Sequence, residues 1–161
     1  MTSQKYIEET IEVYSNMVYR IALTRVKTKE EAEDIYQDVF FKFSSKLPEF
    51  KTEEHKKAWI IRVTINISNN YLKSAWKNKN VELNEDIIYE EKKFEELNNV
   101  YEEVKKLPQD YQTVIYLYYY EGYKVSEISK MMSKREGTIK TWLSRARDIL
   151  KESLKGGLED E

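Results

Sequence analysis

The segment GYKVSEISKMMSKREGTIKTWLSRARDIL, residues 122–150, is typical of two short helices joined by a tight turn. Apolar residues recur at helical spacing in both halves: Val125, Ile128, Met131 and Met132, then Ile139, Leu143, Ala146 and Leu150. The steps of four, three and four place the second set on one inner stripe. Gly137 gives the backbone freedom where the chain enters the second helix. The pattern therefore predicts a helix-turn-helix.

The outer face of the second predicted helix carries hydroxyl and cationic side chains: Thr138, Lys140, Thr141, Ser144, Arg145 and Arg147. Such groups hydrogen-bond base edges and neutralise phosphates, so the segment is interpreted as a DNA-reading element. An alternative is a helical hairpin with a solvated basic face, because runs of charge often indicate only solvation. The length of the turn, Gly137 and the clustered Thr and Arg residues favour DNA binding.

Composition excludes several other classes of protein. The chain has 161 residues, 40% of them hydrophobic and 35% charged, which predicts a soluble globular protein of one domain or two small ones. No apolar run approaches the ~18 residues of a membrane span, and the first residues lack a signal peptide's apolar core. We expect a cytoplasmic protein without membrane insertion. With no cysteine and one histidine, we also expect no disulfide, metal site, cofactor or catalytic nucleophile pair.

Charge is unevenly distributed, although the formal net charge is only -2. Residues 55–81 include six basic residues and no acid, and residues 124–151 include eight basic residues against three acids. Between them, residues 82–103 hold nine acids and two lysines. Two basic surfaces separated by an acidic spacer suit a protein that contacts a duplex at two places. A plain solvated linker explains the acidic stretch equally well.

The scarcity of proline and glycine, two and four residues, allows long helices, and these few residues mark boundaries. We predict helices at 7–27, 29–46 and 52–77, the third with Thr52 as its cap. Four helices are predicted after the spacer. One includes the aromatic run 116–120 with Val114, Leu117 and Tyr118 inward, and Gly156 and Gly157 are predicted to end the last.

The expected fold class is all-α, with two helical domains joined by a linker. The predicted boundaries are residues 1–77 for the first domain, 78–93 for the acidic linker, 94–155 for the helix-turn-helix domain and 156–161 for an acidic tail.

The second predicted helix has two distinct faces. Ala32, Ile35, Val39 and Phe43 recur at three, four and four, so we expect them to be buried. Another face carries Asp34, Gln37, Asp38 and Phe41. An exposed Phe beside carboxylates suits a protein-docking surface. The alternative is a solvated face with Phe41 tucked under the third helix.

Three segments in series resemble a known family. EAEDIYQDVFFKF (31–43) resembles the core-binding segment of bacterial sigma factors of the sigma-70 family, and AWIIRVTINISNNYLK (58–73) resembles their promoter-melting helix. The segments LPQDYQTVIYLYYYEGYKVSEIS (107–129) and EGTIKTWLSRARDIL (136–150) resemble their C-terminal helix-turn-helix. The resemblance covers roughly residues 14–154. The lack of an intervening third domain and of a long N-terminal region indicates the small extracytoplasmic-function (ECF) group.

The resemblance implies roles for the first lobe. Asp34, Gln37, Asp38 and Phe41 would dock the clamp helices of the largest polymerase subunit. The minus-ten promoter element would be contacted by Lys56, Arg62, Asn66, Asn69, Asn70, Lys73 and Lys77. The loop at residues 50–55 would capture a flipped base, with Phe50 or His55 either stacking on it or serving the fold.

For the second lobe, the resemblance implies that the second helix of the motif enters the major groove of the minus-thirty-five element. The expected contacts are Arg135, Glu136, Thr138, Lys140, Thr141, Arg145 and Arg147, the last to phosphate. Three residues depart from the family pattern. Ser133 replaces a turn glycine, Lys134 an apolar residue and Trp142 an arginine. The promoter sequence therefore cannot be transferred from relatives.

The expected function is that of a promoter-specificity subunit without catalysis, whose partners are core RNA polymerase, promoter DNA and an anti-sigma factor. One rival is a stand-alone helix-turn-helix regulator, which leaves the Asp34 and Asn66 faces without a purpose. A nuclease or recombinase using Asp34 and Asp38 is the other rival. It lacks the second acidic cluster or nucleophile that such chemistry needs.

Overall fold

The structure is a computed structural model that describes residues 2–77 and 99–159. The chain divides into two compact units, Met1–Asn84 and Glu85–Glu161. All regular structure in the two described ranges is helical, so the all-α prediction is confirmed. The predicted linker at residues 78–93 lies outside the described residues, and the domain boundaries stay a prediction.

The first unit is a bundle of three helices, α1 (Ser3–Arg25), α2 (Lys29–Lys46) and α3 (Glu53–Lys77). Each begins at a threonine whose hydroxyl accepts a backbone N–H. Lys5 donates to Thr2 at 3.2 Å, Glu31 to Thr28 at 3.1 Å and His55 to Thr52 at 3.1 Å. The bounds of α2 match the prediction, whereas α1 begins earlier than predicted because Thr2 caps it.

The core of this unit comes from the inner stripes of all three helices. The fully buried residues include Val18, Ile21, Ile35, Val39, Phe43, Ile60, Ile61 and Ile65. The predicted burial of Ala32, Ile35, Val39 and Phe43 is confirmed. Phe43 sits at the centre, with its ring centroid 5.3 Å from that of Tyr6 and 6.1 Å from that of Trp59. Burying side chains of this size contributes about 1.5–3 kcal/mol each, which holds the three helices together.

The second unit contains α4 (Asn99–Lys105), α5 (Gln109–Ile115), α6 (Val125–Met132) and α7 (Glu136–Glu159). The last turn after α5, Tyr116–Tyr120, widens into a π-helix. The core of the second unit includes Val114, Leu117 and Ile128. Tyr118, also predicted inward, is half-buried.

The prediction that Gly156 and Gly157 end the last helix is wrong. The helix α7 continues through both glycines to Glu159. Glycine costs a helix about 1 kcal/mol relative to alanine, but it keeps its N–H and therefore does not break the ladder of backbone hydrogen bonds.

The turn between α6 and α7 is built on a left-handed residue. Ser133 has φ 55° and ψ 45°, and its N–H donates to the Ser129 carbonyl, as does the N–H of Lys134 at 3.0 Å. The Ser129 hydroxyl donates to the Lys134 carbonyl. Serine therefore occupies a conformation that normally selects glycine. Gly137, in contrast, has ordinary helical geometry in the first turn of α7.

Candidate protein and nucleic-acid interfaces

The outer face of α2 exposes a phenylalanine among acids. We call Asp34, Gln37, Asp38 and Phe41 the docking stripe, and all four are exposed. Phe41 is 73% exposed, whereas the adjacent Phe40 is 6% exposed. The alternative in which Phe41 is tucked under the third helix is therefore wrong. An exposed aromatic ring beside carboxylates forms a surface that a partner can cover.

An open cleft of about 310 Å³ lies next to the docking stripe, lined by Asp38 of α2 and by Ile67, Asn70 and Tyr71 of α3. Burial raises the pKa of the Tyr71 hydroxyl above 10.0, and nearby acids raise it further, Glu31 and Asp34 before Asp38 and Glu30. Carboxylates of α2 therefore lie close enough to this edge of α3 to act on the Tyr71 hydroxyl.

A second exposed stripe runs along α3. Arg62, Asn66 and Asn70 follow one another at intervals of four residues, and all three are exposed. The same helix continues through Lys73 and Lys77, whose side chains lie outside the described part of the structure. We call these five residues the minus-ten stripe. Its described members present two amides and a guanidinium to solvent.

The Asn69 amide is held within the protein by a buried arginine. The buried Arg25 donates from Nη2 to the Asn69 Oδ1 at 2.5 Å and from Nε to the Ser68 Oγ at 3.2 Å. The Asn69 side chain is half-buried, and its bond to Arg25 ties α3 to α1.

The placement of Lys56 on the DNA-binding surface is wrong. Lys56 is only 7% exposed. Its Nζ lies 4.3 Å from the ring centroid of Tyr6, 5.5 Å from that of Phe43 and 5.9 Å from that of Tyr14. The aromatic faces attract the ammonium and replace part of its hydration. The lysine therefore stabilises the bundle and does not face a phosphate.

Two contacts hold the loop between α2 and α3 against the helices of the first unit. The Tyr6 hydroxyl donates to the Pro48 carbonyl at 3.0 Å, and the Phe50 ring packs 5.6 Å from the Trp59 ring. Of the two residues considered for stacking on a base, Phe50 is half-buried and His55 is exposed. Leu47 enters the loop with φ 42°, which a leucine rarely adopts.

The third candidate surface is the outer face of α7. Ile139, Leu143 and Ala146 point inward, with exposures of 0%, 2% and 0%. Seven residues on and before the helix form what we call the recognition face: Arg135, Glu136, Thr138, Lys140, Thr141, Arg145 and Arg147. Six of them are exposed and Thr138 is half-buried. All seven lie on α7 or just before it, outside the inner stripe of Ile139, Leu143 and Ala146, and their contact with the minus-thirty-five element stays a prediction.

Arg147 is held by Tyr118, which was predicted to point inward, and by Tyr119, for which no contact was predicted. Its Nε donates to the Tyr119 hydroxyl at 2.5 Å, and its Cζ lies 5.5 Å from the ring centroids of both Tyr118 and Tyr119. The sequence held one indication of this contact. Tyr118, Tyr119 and Tyr120 are consecutive, and the inner stripe of one helix cannot bury three consecutive side chains.

Two of the three residues that depart from the family pattern lie outside the fully buried core. Lys134 is exposed beside the turn, and Trp142 is half-buried on α7.

No group of His, Cys, Asp or Glu that could hold a metal ion occurs within residues 2–77 and 99–159. In the same two ranges, no helix has the length and apolar content that a bilayer crossing requires.

Two family profiles and several known relatives match the chain. The family profile of sigma-70 region 2 matches residues 10–78, and that of sigma-70 region 4 matches residues 97–150. The ECF RNA polymerase sigma factor SigM of Bacillus subtilis is 28% identical, over 96% of this chain and 99% of the relative. SigV of the same organism is 27% identical, over 83% and 81%.

Solved structures share the fold. The sigma factor RpoE from Bartonella quintana, solved with the anti-sigma factor NepR, superposes with a TM-score of 0.75 at 21% identity, over 94% of this chain and 98% of that one. CnrH, solved with the cytosolic domain of CnrY, gives 0.64 at 18%, over 95% and 90%.

Together the two regions define a sigma factor of the sigma-70 type. The chain belongs to the ECF group of that family. It therefore has the role of a sigma subunit in transcription initiation, in a family of regulatory subunits rather than enzymes.

Proposed function

We propose that this chain binds core RNA polymerase through the docking stripe, recognises the minus-thirty-five and minus-ten promoter elements, and helps to open the DNA. The observation that carries the proposal is the separation of exposed surfaces by chemistry. An acidic and aromatic stripe lies on α2, an amide-rich stripe on α3 and a cationic and hydroxyl face on α7. The first suits a protein partner and the other two suit nucleic acid.

Core binding rests on Phe41 and its acidic neighbours. A side chain that is 73% exposed gains the most when a partner covers it, and Asp34 and Asp38 add complementarity to a basic partner surface. The clamp helices of the largest polymerase subunit are the partner that the family resemblance implies.

Opening of the minus-ten element rests on Asn66 and Asn70. An amide can pair with one edge of a base that has left the stack, and Arg62 can hold the backbone. Unstacking costs a few kcal/mol per step, so contacts to extruded bases and phosphates must supply it. The docking and minus-ten stripes meet at the cleft lined by Asp38 and Asn70, so both partners approach the same edge of the first unit.

Recognition of the minus-thirty-five element rests on α7. Arg135 and Arg145 can each pair bidentately with guanine, and Glu136 can accept from cytosine, at about 1–3 kcal/mol of discrimination per pair. The exposure of all three supports this assignment.

An anti-sigma factor is the remaining proposed partner. The Bartonella quintana relative is solved with the anti-sigma factor NepR. By analogy we infer that an inhibitor protein binds this chain and covers exposed surfaces such as the docking stripe.

Two substitutions test this division of labour. Asp38→Arg should weaken association with core polymerase at least tenfold, because it places a like charge against a basic partner. Arg145→Ala should leave core association unchanged and weaken binding to the minus-thirty-five element about tenfold, in line with ~1–3 kcal/mol for one base contact.

The matched controls are Glu12→Arg on α1 and Lys155→Ala near the end of α7, both at exposed positions outside the proposed surfaces. Fluorescence anisotropy with core polymerase and with duplex DNA measures both affinities. If the wild-type chain binds duplex DNA but never core polymerase, the stand-alone regulator replaces this proposal. If Asp38→Arg and Arg145→Ala both impair only DNA binding, the assignment of the docking stripe is wrong.

A further inference from the structure

Arg147 is held at one end and open at the other. Its Nε donates to the Tyr119 hydroxyl, and its guanidinium lies at the corner between the rings of Tyr118 and Tyr119. Those two rings have centroids 4.9 Å apart and planes at 75°, so they form two walls of one niche. The contacts fix the direction of a side chain that otherwise samples many rotamers.

The terminal amino groups of Arg147 remain unused by the protein. Within residues 2–77 and 99–159, neither Nη atom has a hydrogen-bond or ion-pair partner, and the side chain is exposed. A guanidinium that is anchored through Nε keeps its two Nη groups side by side, which is the geometry that a phosphate accepts from arginine.

The tyrosines are presented by an unusual piece of backbone. The π-helical turn Tyr116–Tyr120 is closed by Glu121 N donating to the Tyr116 carbonyl at 3.1 Å, and the rings of Tyr116 and Tyr120 stack at 4.9 Å. Tyr119 is left 58% exposed. The π-helix is a rare backbone conformation in proteins.

We propose that Tyr119 is a positioning residue that presents the Nη groups of Arg147 to a DNA phosphate beside the minus-thirty-five element. The inference rests on the proposed function of the recognition face and adds a residue outside α7 to it. Tyr119 acts through Arg147 and does not touch DNA itself. The side chain is ordered before DNA arrives, so less rotamer freedom is lost on binding.

The test is a double-mutant cycle between Tyr119→Phe and Arg147→Ala in the full chain, measured by anisotropy on a duplex that carries its selected upstream element. Losing the order of one arginine side chain should weaken binding about two- to tenfold, so Tyr119→Phe should show a loss of that size. In the Arg147→Ala background the same change should have no effect, because the residue through which Tyr119 acts is gone.

Salt dependence supplies a readout that a purely structural tyrosine would not move. Arg147→Ala should lower the slope of log affinity against log salt by about 0.9, the value for one phosphate contact, and Tyr119→Phe should lower it by a fraction of that. The matched control is Tyr120→Phe, which keeps its ring stack with Tyr116 and should change neither affinity nor slope.

Equal losses from Tyr119→Phe in both backgrounds would overturn the inference, as would tighter binding by Tyr119→Phe. The proposed function fails differently. If neither Arg145→Ala nor Arg147→Ala weakens duplex binding, the recognition face itself is wrongly assigned. If Arg145→Ala weakens it while Tyr119→Phe is neutral, only the role of Tyr119 fails.

Discussion

Ser133 shows how one residue sets the stability of the helix-turn-helix. Its φ of 55° places Cβ close to the following carbonyl, at a cost of roughly 1–2 kcal/mol that glycine avoids. We predict that Ser133→Gly raises the free energy of unfolding by about 1 kcal/mol, after the greater freedom of glycine in the unfolded chain offsets part of the gain. Urea denaturation measures the change.

The control is the same substitution in a helix. Ser144 is exposed in the middle of α7, where Ser144→Gly should lower stability by several tenths of a kcal/mol, the helix-propensity difference. Destabilisation by Ser133→Gly would show that the serine hydroxyl matters more than backbone strain.

Lys56 shows that a positive charge alone does not predict a position on the DNA-binding surface. It lies four residues before the fully buried Ile60 on α3, and that spacing placed it on the inner face. Its charge led to the prediction that it contacts DNA, whereas its position in the helical repeat places it in the core.

The corrected role of Lys56 gives a second prediction. Lys56→Met fills the same space and should leave the salt dependence of promoter binding unchanged, since no phosphate contact is lost. Arg62→Ala, on the exposed side of α3, should lower the salt slope by about 0.7–0.9. Titrations of promoter binding at several salt concentrations compare the two variants. A slope for Lys56→Met as low as that of Arg62→Ala would return Lys56 to the DNA surface.

Tyr6 and Tyr71 predict a pH dependence of stability. Burial raises the pKa of both hydroxyls above 10.0, and nearby carboxylates raise it further, first Glu53 for Tyr6 and Glu31 for Tyr71. Above pH 10 the unfolded chain therefore loses protons that the folded chain keeps, and the free energy of unfolding falls as pH rises. Tyr71→Phe should make this decline shallower in denaturation series at pH 9–11. An unaltered decline would contradict the assignment to Tyr71.

At the scale of elements, α2 carries two opposite surfaces, and neighbouring phenylalanines distinguish them. Phe41→Ala should leave stability within about 0.5 kcal/mol, because the ring is 73% exposed, yet weaken core-polymerase binding by about 2 kcal/mol or more. Phe40→Ala is the matched control. Its ring is 6% exposed, so the substitution should cost about 3–5 kcal/mol of stability. Thermal unfolding and anisotropy with core polymerase measure the two effects, and a large stability loss from Phe41→Ala would contradict the docking stripe.

The elements also show which features local sequence encodes. The period of Ile35, Val39 and Phe43 predicted α2, whose bounds match the structure, and the structure adds the cap at Thr28. The π turn escaped prediction because its tyrosines fit an ordinary helix equally well and only packing widens the turn. The end of α7 was predicted wrongly because paired glycines lower helix propensity without ending a helix.

At the scale of the whole molecule, the order of the three motifs predicted the family, and both family regions match the chain. Surface exposure could be predicted from helical register, as for Arg62, Asn66 and Asn70. The contacts of Arg147 with Tyr118 and Tyr119 could not, because they join residues of different helices that no local pattern relates.

The central claim is that this chain directs core RNA polymerase to promoters by using its docking stripe and its DNA-binding surfaces together. The most direct measurement is in vitro transcription by core polymerase on a promoter library, with the wild-type chain, Asp38→Arg and Arg145→Ala. We predict initiation at promoters sharing two sequence elements with the wild-type chain. Output should be lost with Asp38→Arg and reduced at the same promoters with Arg145→Ala. A wild-type chain that supports no initiation above core polymerase alone, with any inhibitor removed, would contradict the claim.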